Sequence, residues 1–217
     1  HANAMANPLA QMQRELSLDF CLEPSEKNPV ISAPLKVTDC SLISDGAAAV
    51  VLVHRDLAKN FRRAVGFRAA AHVSDLLPLS AKKLADFQGP SRAVEAAYSF
   101  AGISVDDLSF AEVHDCFTIA ELLAVEALQL IPRGQGAAAV IDGVTARDGK
   151  LPVNLSGGLK AKGHPVGATG VSMHVMAARQ LTGEADAMQL PGAELGLCFN
   201  MGGGAVASYV SILEPIH

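Results

Sequence analysis

The sequence predicts an α/β fold in which a mixed sheet is covered by helices. Three observations predict it. Strand-like runs alternate with helical stretches of roughly 10 to 15 residues. The chain closes on two strand-like runs joined by a glycine turn, Asn200 to Gly204. The composition is aliphatic and small: 50% of 217 residues are hydrophobic, with 19 Gly, 2 Tyr and no Trp, which suits tightly packed layers. With only 18% of residues charged, global disorder is excluded and one substantial core is expected.

Residues 1–44 read as a loop region, because Pro8, Pro24, Pro29 and Pro34 interrupt any long helix. A turn at Ser44-Asp45-Gly46 precedes an alanine and valine run through Val53, short and β-branched enough for a buried strand, and Asp56 starts a short helix. A strand follows from Ala64, and Lys59–Arg63 is the expected junction between a first unit, 1–63, and a second, 64–217. In the second unit, Ser91, Val94 and Ala97 set a helix that Gly102 ends, and Leu108–Val113 is a strand. Phe117–Ile131 reads as a helix stopped by Pro132, 134–149 as a surface loop, and Gly167–Leu181 as a second long helix. Leu195–Phe199 and Val206–Leu213 are the closing strands, and no fixed-period repeat is found.

Charge and cysteine usage narrow the function classes. A net charge of −5 offers no basic excess to displace counterions, so a nucleic-acid partner is excluded. The four cysteines at 21, 40, 116 and 198 form no C-x-x-C pair and no zinc spacing, which points to neither a disulfide scaffold nor a metal, and favours the cytoplasm. No apolar run reaches membrane-spanning length, so no membrane partner is expected. The sequence starts at His1 without an initiator Met or a secretory layout, which suggests that it begins inside a longer chain.

Three clusters could carry chemistry. His114-Asp115-Cys116-Phe117 falls where a strand meets a helix; in extended backbone His114 and Cys116 share a face and Asp115 points away. The adjacent helix N-terminus is expected to lower the thiol pKa, although a buried structural cysteine beside a capping aspartate fits the same pattern. Asn154–Gly170 is a glycine-rich stretch closing on a helix, with His164 fixed between Gly163 and Pro165. An imidazole there can stabilise an oxyanion or take a proton; the alternative is a flexible surface turn. The third cluster, Cys198–Ala205, opens a G-x-G-x-x-A spacing at Gly202, Gly204 and Ala207, but a strand follows where a dinucleotide site needs a helix. Met173 and Met176 read as helix packing, and His54, His72 and His174 as ordinary histidines.

These clusters, in this order, resemble the thiolase superfamily, and within it the sterol-carrier-protein-type thiolases and related archaeal acetoacetyl-CoA thiolases. Asn7–Met12 and Ser44–Val50 are similar to the late N-terminal half, including the end of the CoA-facing loop domain. From about residue 64 the similarity is to the C-terminal half. His114-Asp-Cys-Phe117 stands where most thiolases carry Asn-Glu-Ala-Phe and marks the sterol-carrier branch, while Gly163-His-Pro165 is shared by both.

The resemblance implies one βαβαβαββ half of a five-layer thiolase, with a mixed five-stranded sheet, preceded by a fragment of the other half. It also implies thiolytic cleavage of a 3-ketoacyl-CoA, or the reverse Claisen condensation of acyl-CoA. Carried over, Cys116 is the acid/base group, and His114 and His164 polarise the thioester oxygen, His164 also activating a nucleophilic cysteine. Gly202 aligns with a second oxyanion hole and Ser41 with a serine against the pantetheine arm. Aligning on the glycines puts Asn200-Met201-Gly202 over the family's late Cys-x-Gly motif, leaving Cys198 two residues early. No cysteine here sits in a context resembling the family's nucleophile. Either the sequence is part of a longer enzyme, the favoured arrangement, or a separate chain bears the nucleophile. Coenzyme A is implied as co-substrate, with no other cofactor and a homodimer or tetramer as assembly. The rival readings are a retro-aldol lyase on CoA thioesters and a non-catalytic CoA-binding subunit.

Overall fold

The computed structural model describes residues 1–216. The proline-rich beginning forms only short pieces: α1 (Ala2–Met5), α2 (Leu18–Leu22) and a small hairpin of β1 (Val30–Ser32) with β2 (Leu35–Lys36). Ser17 caps α2 by accepting from the Phe20 amide. The strand expected through Val53 does not form. Residues 41–54 run without a ladder partner among the described residues, and Val51 and Leu52 are 84% and 77% exposed, because an apolar run is a strand only when another edge meets it.

After α3 (Arg55–Ala58) the regular layers begin with β3 (Val65–Ser74) and α4 (Gln88–Ala101), and Gly102 ends α4 in the left-handed region as expected. Next come β4 (Phe110–Val113), α5 (Thr118–Ala127) and α6 (Gly136–Ile141). The last of these lies inside the expected surface loop. Its alanines favour helix, and Glu126 Oε1 accepts from the Gly136 amide at 2.8 Å, satisfying one free donor of its first turn. Then follow α7 (Gly158–Ala161), α8 (Thr169–Leu181), β5 (Gly196–Gly202) and β6 (Ala207–Pro215). β5 runs through Asn200 to Gly202, so the closing turn begins three residues later than expected.

The sheet is mixed, in the order β3-β6-β5-β4, with β4 and β5 parallel and the other pairs antiparallel. The fifth strand is reduced to one parallel bridge, Val153 against Ala111. Ala111 donates to Pro152 O and accepts from the Asn154 amide. Asn154 then turns to φ +53°, which takes the chain out of extended conformation.

Helices cover both faces. Ala93, Val94, Ala97 and Tyr98 of α4 and Ala124 and Val125 of α5 pack on one side with Val113, Phe199 and Ile212. Leu159 of α7 and Met173 and Ala177 of α8 pack on the other with Phe110, Cys198 and Leu213. β4 is buried along its whole length, the pattern of a parallel strand covered on both faces. No helix among the described residues is long and apolar enough to cross a membrane.

Candidate active site

The parallel pairing of β4 and β5 places two polar side chains side by side. Val113, the last residue of β4, is registered with Phe199, so His114, just past the end of β4, lies level with Asn200, which is still within β5 and paired with Tyr209 of β6. His114 Nδ1 lies 2.6 Å from Asn200 Oδ1. The loop between α7 and α8 brings His164 onto this pair: the two imidazole rings are 5.2 Å apart and at 90°. His164 Nδ1 lies 2.7 Å from Thr169 Oγ1, and that hydroxyl donates its own proton to Pro165 O at 3.0 Å. The threonine oxygen can therefore only accept from the ring, which puts the His164 proton on Nδ1 and leaves a lone pair on Nε2.

The first forty-six residues clamp this arrangement from outside. The Ser41 amide donates to Cys116 O at 2.8 Å, and Cys40 bridges Phe117. Ser44 Oγ accepts from the His164 amide at 2.8 Å. The Gln11 amide donates to Lys162 O, and its side chain donates to Asp45 O at 2.9 Å. Lys160 Nζ reaches back to Cys40 O at 2.7 Å. The structure thus brings His114, Cys116, His164 and Ser41 into one neighbourhood. Gly202 is reached only along β5, two residues past Asn200, at an exposed strand end paired with Ala207. Asn200, Ser44, Thr169 and Gln11 belong to the neighbourhood although the sequence reading gave them no role. Each lay inside a segment the sequence singled out: Gln11 in Asn7–Met12, Ser44 at the head of Ser44–Val50, Thr169 in Asn154–Gly170, and Asn200 where the resemblance aligns the cysteine of a Cys-x-Gly motif.

Asp115 caps α7 rather than α5: Oδ1 accepts from the Leu159 amide at 2.6 Å, on the face whose core Cys116 packs against, so the opposite-face expectation, which needs extended backbone through Cys116, is not met. Gly158 sits at φ +59° against that carboxylate, where a methyl group would collide with it. The expectation of an acidic thiol is corrected. Burial pushes the Cys116 thiol up, and the neighbouring Asp115 carboxylate adds to the rise, outweighing the amides at the start of α5. Burial also pushes both imidazoles below their ordinary value, with Asn200 opposing the shift at His114 and Lys162 reinforcing it at His164. Both rings are neutral near pH 7, and the thiol keeps its proton. Cys198 is core: it is 1% exposed, packs with Phe110, Leu159 and Met173, and burial raises its thiol strongly.

Three carboxyls lie beneath the site. Glu112 accepts from both the amide and the hydroxyl of Ser156, and burial raises its pKa. Burial raises Asp115 to about 6 and Glu121 to about 7, the Asp115 charge adding to the shift at Glu121. Asn154 ties the group together, donating to Glu121 at 3.1 Å while accepting from the Val113 amide. Asp115 and Glu121 also line a cavity of about 370 Å³, whose wall includes neither imidazole. Unfolded, both carboxyls titrate near pH 4, so between there and their folded values the native state holds more protons. Their stabilisation is full below about pH 4 and is lost as pH rises through 6 to 7. Glu121→Gln should therefore flatten the fall in Tm between about pH 5 and 8, a change read by thermal melts across that range; an unchanged slope contradicts this account.

The comparisons with known proteins agree with this architecture. Residues 71–215 match the family described as thiolase C-terminal domain-like. The chain is 39% identical over 216 residues to an acetyl-CoA acetyltransferase of Methanothermobacter thermautotrophicus, covering 99% of this chain and 55% of that one. It is 38% identical over 215 residues to sterol carrier protein 2 of Homo sapiens, covering 95% of this chain and 38% of that one. The chain thus spans about half, or less, of the length of these relatives. Among solved structures, the Ltp2-ChsH2(DUF35) aldolase superposes with a TM-score of 0.85 at 22% identity, covering 98% of this chain and 55% of that one. A monomeric SCP2-thiolase like protein type 1 from Mycobacterium smegmatis gives 0.69 at 19% identity, covering 99% and 44%. These two likenesses show the fold. With the family match extending from β3 to the end of β6, the chain belongs to the thiolase superfamily through its C-terminal domain.

Proposed function

We propose that the complete protein is an acyltransferase of the thiolase type, acting on 3-ketoacyl-CoA or in reverse on two acyl-CoA molecules. The observation that carries this reading is the pair of neutral imidazoles, 5.2 Å apart and perpendicular, beside a protonated thiol two residues from one of them. In the cleavage direction a cysteine thiolate from outside this chain attacks the keto carbon. The His164 Nε2 lone pair takes that cysteine's proton beforehand; His164, so protonated, then donates to the oxygen of the tetrahedral adduct, and His114 supports the same oxygen through a water held on its Nε2 lone pair. The bond between the α and keto carbons breaks, and Cys116 donates its proton to the departing α-carbon, giving acetyl-CoA and an acyl-enzyme. Coenzyme A then gives its thiol proton to the Cys116 thiolate and attacks the acyl-enzyme, releasing the shortened acyl-CoA.

Ser41, hydrogen-bonded to the Cys116 backbone, would lie along the pantetheine arm, and the Gly202 amide at the end of β5 would face a second developing oxyanion. The same reading places the boundary between the partial first half and the C-terminal domain near residue 64, the nucleophile on the same polypeptide, and the assembly in the cytoplasm as a homodimer or tetramer. The relative named acetyl-CoA acetyltransferase supports the reaction class. The aldolase among the similar structures favours a second reading, retro-aldol cleavage of a CoA thioester without a nucleophilic cysteine.

One assay separates them. The intact protein, given acetoacetyl-CoA and coenzyme A, should consume free thiol and form two acetyl-CoA. Release of an aldehyde or ketone from a hydroxyacyl-CoA with no thiol consumed selects the lyase. Absence of both reactions leaves only a CoA-binding role.

A further inference from the structure

Asn200 has no counterpart among the residues assigned chemistry above, yet it makes the shortest polar contact to His114. It occupies the level of β5 facing the end of β4, so the strand pairing itself sets its distance from the ring. At 2.6 Å from Nδ1, the amide oxygen can only accept, so the ring's single proton sits on Nδ1. Burial keeps the ring neutral, and Nε2 has no hydrogen-bond partner among the described residues. His164 meets the same ring edge to face, which fixes its plane from the other side.

We propose that Asn200 is the positioning residue for His114. Its side-chain carbonyl locks the Nδ1–H tautomer and the ring orientation, so Nε2 enters the reaction as a lone pair: it accepts from a water, whose second O–H donates to the oxyanion. This rests on the acyl-transfer reading for its consequence, but the tautomer does not. His164 is held in the same tautomer by Thr169, so the two rings present like nitrogens from two unlike supports, an amide on β5 and a hydroxyl at the start of α8. An aspartate at 200 can accept from Nδ1 as the asparagine does. A leucine of similar size cannot.

The test is the ring ¹⁵N spectrum of the intact protein near pH 8, with His114 assigned by its loss in His114→Gln. Wild type and Asn200→Asp should both show His114 protonated at Nδ1, whereas Asn200→Leu should shift the ring toward the Nε2–H form. With acetoacetyl-CoA, Asn200→Leu should lower kcat about tenfold with little change in KM, and Asn200→Asp should retain more of the wild-type rate. An Nε2–H resonance in wild type, or an Asn200→Leu spectrum like wild type, overturns the proposal. If the tautomers behave as stated and no thiolysis is seen in any variant, the acyl-transfer reading fails and the positioning role stands.

Discussion

Replacing His164 by alanine in the intact protein should lower kcat/KM for thiolysis of acetoacetyl-CoA at least a hundredfold while leaving the fold in place. One ring is asked to do two things, to take the nucleophile's proton at Nε2 and to stabilise the tetrahedral oxygen. Loss of a single oxyanion donor alone costs on the order of 3 kcal/mol, about a hundredfold in rate. The ring is held by Thr169 and the loop by Ser44 and Pro165, whose contacts to the backbone survive truncation of the imidazole. The defect should appear mainly in the acylation burst, because that step needs the nucleophile's thiolate. Stopped-flow release of the first acetyl-CoA measures it, and a variant with an undiminished burst argues against the role. Because burial and Lys162 push the His164 pKa down, its lone pair stays available below the ordinary imidazole range. The acid limb of kcat/KM should accordingly lie below about pH 6.5.

The second large effect belongs to Cys116. Its thiol is pushed up by burial and by Asp115, so at neutral pH it is a proton donor held beside the end of β4. Removing it should slow cleavage and condensation together, because one group supplies the proton in one direction and removes it in the other. A loss of 10² to 10⁴ is the usual range for such a group. Cys116→Ser keeps the size and the Ser41 contact, which is to the backbone, and so reports on the proton rather than on packing. Rates measured in both directions should fall by the same factor. A fall confined to one direction, or none, removes Cys116 from the proton path.

Much of the second unit could be read from sequence because its signals are local. Gly102 stops α4, and the small residues of α4 recur on a helical period. β4 reads as a strand because Leu108–Val113 is a short apolar run broken only by Ser109 and Glu112. The signals that failed depend on distant parts of the chain. The run through Val53 has a strand's composition and no edge to pair with. The stretch after Gly134 has a loop's composition, yet Glu126, ten residues before Gly136, helps to start a helix there. The thiol of Cys116 was expected to be acidic from its neighbour in sequence, the α5 N-terminus, whereas burial and Asp115 decide it. Within the site, Asn200, Ser44 and Thr169 lie in motifs that point to other residues. They matter through register and loop closure, which single positions in a sequence do not reveal.

The account stands on His114, Cys116 and His164 surrounding one thioester carbonyl. A crystal structure of the intact protein with a non-cleavable acetoacetyl-CoA analogue tests that directly. The account predicts the carbonyl oxygen within hydrogen-bond reach of His164 and one water away from His114, the α-carbon beside the sulfur of Cys116, and the pantetheine arm passing Ser41. An analogue bound with its carbonyl remote from these rings contradicts it.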